Sequence, residues 1–110
     1  MNRETALMQQ IRAACNQMPD VRLFRNNTGF ASKERVRYGL GTGSPDLVGV
    51  VCVNGIGRAI GMEVKTEKGR LTPEQKIWID LGDRFGAPIA CVRSVEDALA
   101  FIDEVRRGSR

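Results

Sequence analysis

The sequence predicts a single α/β domain in which helices flank one mixed central sheet, with the elements in the order αβββαβα. A length of 110 residues is enough for one hydrophobic core and too short for two. Three segments repeat apolar residues at helical spacing, and four short apolar segments between them are typical of strands. Because helices and strands alternate along the chain, we expect residues 1–110 to fold as one sheet with helices packed on it.

The first helix is expected over residues 3–17, where apolar side chains recur at helical spacing until Pro19-Asp20 stops them. Glu4 lies on the same face as the apolar stripe. It either stabilises the start of the helix or points into a site. Residues 21–26 then predict a short strand.

Residues 27–45 predict a long connection, because four glycines interrupt the pattern, and long loops in compact domains are usually functional. Positive charge gathers in this connection and in the strand before it, with Glu34 as the one acid. The positive residues are Arg22, Arg25, Lys33, Arg35 and Arg37, followed by Tyr38. A cluster of this kind suits a phosphate backbone, and a solvated loop would carry the same charges.

The second half of the chain begins with two strands, expected at residues 46–53 and about 58–66, on either side of the hairpin signal Asn54-Gly55. A helix follows, with Thr72 as N-cap and Gln75 completing a capping box. After this helix, the pattern predicts an apolar strand and a last helix. These two elements are expected at residues 88–93 and after the capping residue Ser94.

The composition excludes several catalytic mechanisms before any motif is considered. The chain has a net charge of +4 and no histidine, which excludes Ser-His-Asp and Cys-His catalysis. Its three cysteines are far apart, so that we expect buried free thiols and neither zinc nor a disulfide. These cysteines are Cys15, Cys52 and Cys91. There is no signal peptide and no apolar run of about 18 residues, and we therefore expect a soluble intracellular protein.

The strand around Glu63 has two faces of different character. The apolar residues at its even positions, 60–64, point into a core, whereas Glu63 and Lys65 share the opposite face. Such a charged face also suits plain exposure to solvent. Gly61 on the same face weakens the strand, and a glycine there often marks close approach by a ligand or another backbone.

The hairpin brings Asp46 to this charged face in either of two registers. A two-residue turn at Asn54-Gly55 places Asp46 opposite Glu63, and a four-residue loop places it opposite Lys65. An odd-length loop without a bulge would separate them. Two close carboxylates repel each other unless a cation lies between them, and hard oxygen ligands favour Mg²⁺ or Mn²⁺. The cluster therefore predicts metal-assisted phosphodiester hydrolysis, in which Lys65 orients or helps to deprotonate water, or stabilises the developing charge.

These residues resemble a known nuclease signature. Gly43-Ser44-Pro45-Asp46-Leu47, followed after a hairpin by Glu63-Val64-Lys65, is similar to the PD-(D/E)xK motif of restriction-endonuclease-like cores. Glu4 in the first helix and Leu71-Thr72-Pro73-Glu74-Gln75 after the lysine make the chain similar to the VRR-NUC family, specifically its short stand-alone viral or prophage-type members. The resemblance extends from Glu4 to about Ile102.

The resemblance implies a Mg²⁺- or Mn²⁺-dependent endodeoxyribonuclease. The catalytic residues that it implies are Asp46, Glu63, Lys65, Gln75 and Glu4, with Asp46, Glu63 and the backbone carbonyl of Val64 as the metal ligands. A capping box needs Gln75 in any case, so that its structural and pocket roles both stay open.

The resemblance also implies a homodimer that cuts branched DNA such as four-way (Holliday) junctions, in DNA repair or recombination, in the host cytoplasm if the chain is viral or prophage-encoded. The basic residues named above, with Tyr38 for stacking, are the expected nucleic-acid contacts. Two other interpretations remain open: a catalytically silent nucleic-acid-binding module of the same fold, and a small interaction domain whose acidic cluster is a solvated sheet face.

Overall fold

A four-stranded mixed sheet forms the centre of the molecule. It is seen in a computed structural model that describes residues 2–110. The elements in chain order are α1 (Arg3–Asn16), β1 (Val21–Arg25), β2 (Gly29–Ala31), β3 (Val36–Tyr38), β4 (Leu47–Val53), β5 (Ile56–Val64), α2 (Pro73–Phe85), β6 (Ile89–Val92) and α3 (Val95–Arg106). The sheet order is β1-β4-β5-β6, with only β5 and β6 parallel among the described strands. A mixed central sheet flanked by helices is therefore confirmed.

The β4–β5 hairpin has the tighter of the two predicted registers. Val53 pairs with Ile56 across a two-residue turn, and Leu47 pairs with Met62 at the other end. Asn54 and Gly55 have φ values of 51° and 78°. Positive φ at both central residues is what a type I′ turn requires, and this turn matches the natural twist of the strands. The register fixes Asp46, one residue before β4, opposite Glu63.

The segment predicted as one long connection contains two further strands. β2 and β3 pair with each other in a separate antiparallel hairpin, which we call the basic arm (residues 29–38). Gly29 lies under the Tyr38 ring, where a methyl group would come within 2.4 Å of the hydroxyl oxygen. The expectation of an unstructured connection was therefore wrong, because strands of three residues leave too little periodicity to detect in a glycine-rich sequence.

The hydrophobic core lies between one face of the sheet and the helices α1 and α3. Residues 60, 62 and 64 point into it, as the alternation predicted. The residues that the two helices contribute to this core include Ile11, Cys15, Phe101 and Ile102. The opposite face of the sheet carries Glu63 and is covered by α2 only near β6, and Gly82 is the one buried residue of that helix. Ile77 and Phe85 consequently remain 67% and 75% exposed.

The three thiols are free but differ in burial. Cys15 is buried and Cys91 is half-buried, whereas Cys52 is exposed. The expectation of burial was wrong for Cys52, because its position on β4 faces the side of the sheet that α1 and α3 leave open. Over residues 2–110, no helix has the length and apolar character needed to cross a membrane.

Candidate active site

Asp46 and Glu63 meet where β4 begins and β5 ends. Asp46 Oδ2 accepts a hydrogen bond of 2.8 Å from the backbone N–H of Val64. Val64 lies beyond the last β4–β5 pair, Leu47 with Met62, so that on this side its N–H meets the Asp46 side chain, while Val92 of β6 pairs with it on the other side. The two carboxyl groups therefore meet at one end of the two central strands, as one of the two predicted registers required.

The loop before Asp46 is held by Asn26, which follows β1. Its side-chain amide donates to Ser44 Oγ at 2.8 Å and to the Pro45 carbonyl at 2.9 Å. Its backbone N–H donates to the Asp46 carbonyl at 2.8 Å. Asn26 therefore fixes three consecutive residues that lead into the site. These contacts give Asn26 a structural role at the entrance to the site.

Gly61 allows this loop to pack flat on the sheet. A methyl group at Gly61 would lie 2.7 Å from Cγ of Pro45, a distance that side chains do not tolerate. The close approach that the glycine predicted is made by the proline ring directly before Asp46. A residue with a Cβ at this position would push the ring, and with it Asp46, away from β5.

Helix α2 anchors the same loop from the other side. Trp78 Nε1 donates to the Thr42 carbonyl at 3.0 Å. Gly43, at φ 86°, lies so close to the first turn of α2 that a methyl group would come within 2.6 Å of the Glu74 backbone. The start of α2 and the loop before Asp46 consequently form one packed unit, in which Trp78 is neither fully core nor free at the surface.

Glu63 is a buried acid in an unfavourable electrostatic environment. Its side chain is 3% exposed, and burial is the main reason that its pKa rises to about 9. Hydrogen bonding with Asp46 and the charge of that carboxylate raise it further, Lys65 partly offsets the shift, and the charge of Glu4 adds to it. The nearby Lys65 therefore does not outweigh the combined effect of burial and of the neighbouring carboxylates on the pKa of Glu63.

Gln75 has both of the roles that the sequence left open. Its Oε1 accepts from the Thr72 backbone N–H at 2.8 Å, and its own N–H donates to Thr72 Oγ1 at 3.2 Å, which is the predicted capping box. Its Nε2 donates to Glu63 Oε1 at 3.0 Å. The helix cap therefore orients the amide, and the amide in turn fixes one oxygen of the buried acid.

The donor set suits a hard divalent cation. In the part of the chain from residue 2 onward, no three Asp, Glu, Cys or His side chains converge closely enough to hold a metal alone. Mg²⁺ commonly uses only one or two carboxylates and completes its shell with waters. Asp46 and Glu63 with the Val64 carbonyl fit that pattern. A cation would also relieve the repulsion that raises the pKa of Glu63.

The residues predicted to contact DNA lie in three places: beside Asp46, on the basic arm, and at the far end of β1. Arg25 pairs with Leu47, next to Asp46, and the basic arm carries three further cations. Those cations are Lys33, Arg35 and Arg37. Arg22 lies at the far end of β1, where its guanidinium donates to the Met18 carbonyl at 3.1 Å, so that the fold does not bring it to the site.

The structure adds functional candidates that sequence reasoning missed. Phe30 on the basic arm is 52% exposed, and the Arg37 guanidinium carbon lies 5.9 Å from its ring centroid. Tyr38, which was predicted to stack on DNA, covers Gly29 with its ring but remains half-exposed. The alternation of aromatic and basic residues in this segment was the available signal for Phe30. It became informative only once the hairpin pairing was known.

These features are those of a nuclease-type DNA-binding domain: the buried Glu63 beside the half-buried Asp46, a lysine at the next position of the same strand face, and a basic arm. The comparisons agree with this class. The VRR-NUC domain model matches residues 30–96, and the chain therefore belongs to the VRR-NUC family. A solved structure described as a VRR_NUC domain protein is similar in fold, with a TM-score of 0.69 at 15% identity over 94% of this chain and 88% of that one. No curated protein matches the chain.

Proposed function

We propose that this protein is a metal-dependent endonuclease that hydrolyses phosphodiester bonds in branched DNA. The observation that carries the proposal is the buried Glu63, which is placed against Asp46 with a raised pKa and a hydrogen bond from Gln75. An acid pair with one buried member costs folding stability, and such pairs are concentrated at functional sites. A binding module has no need of one, which disfavours the catalytically silent alternative.

In this mechanism, Asp46, Glu63 and the Val64 carbonyl would hold Mg²⁺ or Mn²⁺. When bound, the ion supplies charge stabilisation at the phosphate and a lower pKa for a water molecule. Gln75 keeps Glu63 in one orientation through the 3.0 Å bond to Oε1. Lys65, on the same face, orients the attacking water or accepts its proton through Nζ. Glu4 adds negative charge to the pocket from the first turn of α1.

The basic arm is the proposed DNA-binding element, together with Arg25 beside the active site. Lys33, Arg35 and Arg37 provide positive charge for phosphates, which positions DNA without reading its sequence. The arm continues into the loop that Trp78 anchors to α2, so that DNA held by the arm lies beside Asp46. Phe30 offers an exposed ring for stacking on an unpaired base, such as a base of a single-stranded flap, and intact duplex has none.

The proposed assembly is a homodimer. Helix α2 leaves Ile77 and Phe85 largely exposed, and Leu81 lies between them at helical spacing. Exposed apolar stripes of this kind are typical of interfaces, and a domain this small contacts little DNA alone. A second copy would cover the stripe and present a second active site to a symmetric junction.

A cleavage assay on a panel of labelled substrates tests the proposal. The wild-type protein should cut a four-way junction or a flap in Mn²⁺ or Mg²⁺ and be inactive in EDTA, with linear duplex cut more slowly. Lys65→Ala should abolish cutting and retain binding, whereas Lys76→Ala on the exposed side of α2 should behave as wild type. Binding without cleavage of any substrate would favour the silent module. Absence of binding as well would contradict both nucleic-acid functions.

A further inference from the structure

Arg93, at the end of β6, is bound to a turn that lies far from it in sequence. Its Nη1 donates to the carbonyls of Thr66 and Gly69 at 2.7 Å each and lies 3.4 Å from the Glu67 carbonyl. Its backbone N–H donates to Asp97 Oδ2 at 2.9 Å, which ties the arginine to the first turn of α3. A single guanidinium therefore lies within 3.4 Å of three carbonyl oxygens of one four-residue turn.

This turn begins directly after Lys65 and folds back over its side chain. The Gly69 N–H donates to the Thr66 carbonyl at 3.0 Å, which closes the turn. A methyl group at Gly69 would lie 3.2 Å from Lys65 Cδ and 3.4 Å from its Cβ. Gly69 is thus in contact with the aliphatic part of Lys65, and the absence of a side chain at this position leaves room for it.

The backbone and the side chain of Lys65 consequently depend on two neighbouring residues, the last residue of β6 and the one that follows it. Its backbone N–H donates to the Val92 carbonyl at 3.0 Å, and Arg93, the next residue, holds the turn that packs on its side chain. Three carbonyls directed at one point repel each other unless a cation lies between them. A lysine side chain has four rotatable bonds and is mobile unless its methylenes are packed.

We propose that Arg93 is a positioning residue for Lys65: by holding the turn at residues 66–69, it keeps Gly69 against the lysine methylenes and so restricts where the ammonium lies relative to Asp46 and Glu63. The inference rests on the proposed nuclease function for its effect on cleavage. The positioning itself is a property of the folded chain and can be measured without DNA. No contact of Arg93 with substrate is involved.

The kinetic arm of the test compares Arg93→Ala, Arg93→Lys and Gly69→Ala with Arg107→Ala, an exposed arginine that follows α3. Misplacement of a reacting group by about 1 Å costs about 100-fold in rate. We expect Arg93→Ala and Gly69→Ala to slow single-turnover cleavage by about 10- to 100-fold with unchanged Kd for the junction. Arg93→Lys should recover part of the rate, and Arg107→Ala should match wild type.

The structural arm uses ¹³C relaxation of labelled lysine, with the Lys65 signals assigned from a Lys65→Arg variant. The Lys65 methylenes should be ordered in the wild type and averaged in Arg93→Ala, while circular dichroism shows both proteins folded. Wild-type cleavage rates in Arg93→Ala, a weakened Kd in place of a slowed rate, or equal order of Lys65 in both proteins would overturn the inference. If the wild type cuts nothing, the proposed function fails, and the relaxation data still decide whether Arg93 positions Lys65.

Discussion

The buried acid at the centre of the site should make the stability of the metal-free protein depend on pH. The pKa of Glu63 is raised from 4.5 to about 9, chiefly by burial and then by Asp46. Between these values the folded state binds more protons at Glu63 than the unfolded state does. The free energy of unfolding must therefore fall as pH rises through this window. Replacement by the isosteric amide in Glu63→Gln removes the titration and keeps an acceptor for Gln75.

The size of the effect follows from the shift. Each pH unit within the window changes the free energy of unfolding by about 1.4 kcal/mol for one such group. From pH 5 to pH 8, the wild type should lose about 4 kcal/mol if Glu63 titrates alone, and less if Asp46 takes up part of the proton. Glu63→Gln should lose little over the same range and should be the more stable protein at pH 8.

Urea unfolding in EDTA and reductant, followed by Trp78 fluorescence at several pH values, measures this difference. Asp80→Asn is the matched control, because Asp80 is an exposed carboxylate paired with Arg84 on α2. The lowered pKa of Asp20, caused mainly by its hydrogen bond with Arg106, gives stability that is lost only in acid, below this range. Equal pH slopes for the wild type and Glu63→Gln would refute the electrostatic account of the site.

Three further outcomes are expected. Mn²⁺ or Mg²⁺ should raise the melting temperature of the wild type at pH 8 and have a much smaller effect on Glu63→Gln, as calorimetry can show. Gly61→Ala should slow cleavage and cost about 1–3 kcal/mol in urea unfolding, because it displaces the proline that precedes Asp46; Gly57→Ala, where a methyl group meets nothing within 4 Å, should match wild type. Phe30→Leu should weaken binding to flaps with little change for duplex, as fluorescence anisotropy would detect.

The sequence predicted most of the fold where local signals were strong. Asn54-Gly55 predicted the β4–β5 hairpin, because type I′ turns accept few other residue pairs, and it left a two-residue and a four-residue loop open. The capping box at Thr72 and Gln75 located the start of α2 within one residue. Both predicted registers put Asp46 on the sheet face of Glu63 and Lys65, and the structure shows that it lies opposite Glu63. The capping box placed Gln75 near the lysine strand.

Other features depend on contacts that sequence patterns do not record. The basic arm consists of strands of three residues, too short to show alternation, and its pairing relies on a tyrosine packed over a glycine. The contact between Arg93 and the turn after Lys65 joins residues more than 20 positions apart. Exposure of Ile77 and Phe85 depends on how little of the sheet α2 covers, and helical spacing alone does not reveal that.

The central claim is that Asp46 and Glu63 form a metal-dependent cleaving centre, and Asp46→Asn tests it most directly. This variant keeps the shape of the side chain and an oxygen that can accept from the Val64 N–H. In Mn²⁺, the wild type should cut a labelled four-way junction, and Asp46→Asn should bind the junction with the same Kd and leave it intact. Cleavage by Asp46→Asn at the wild-type rate would contradict the account.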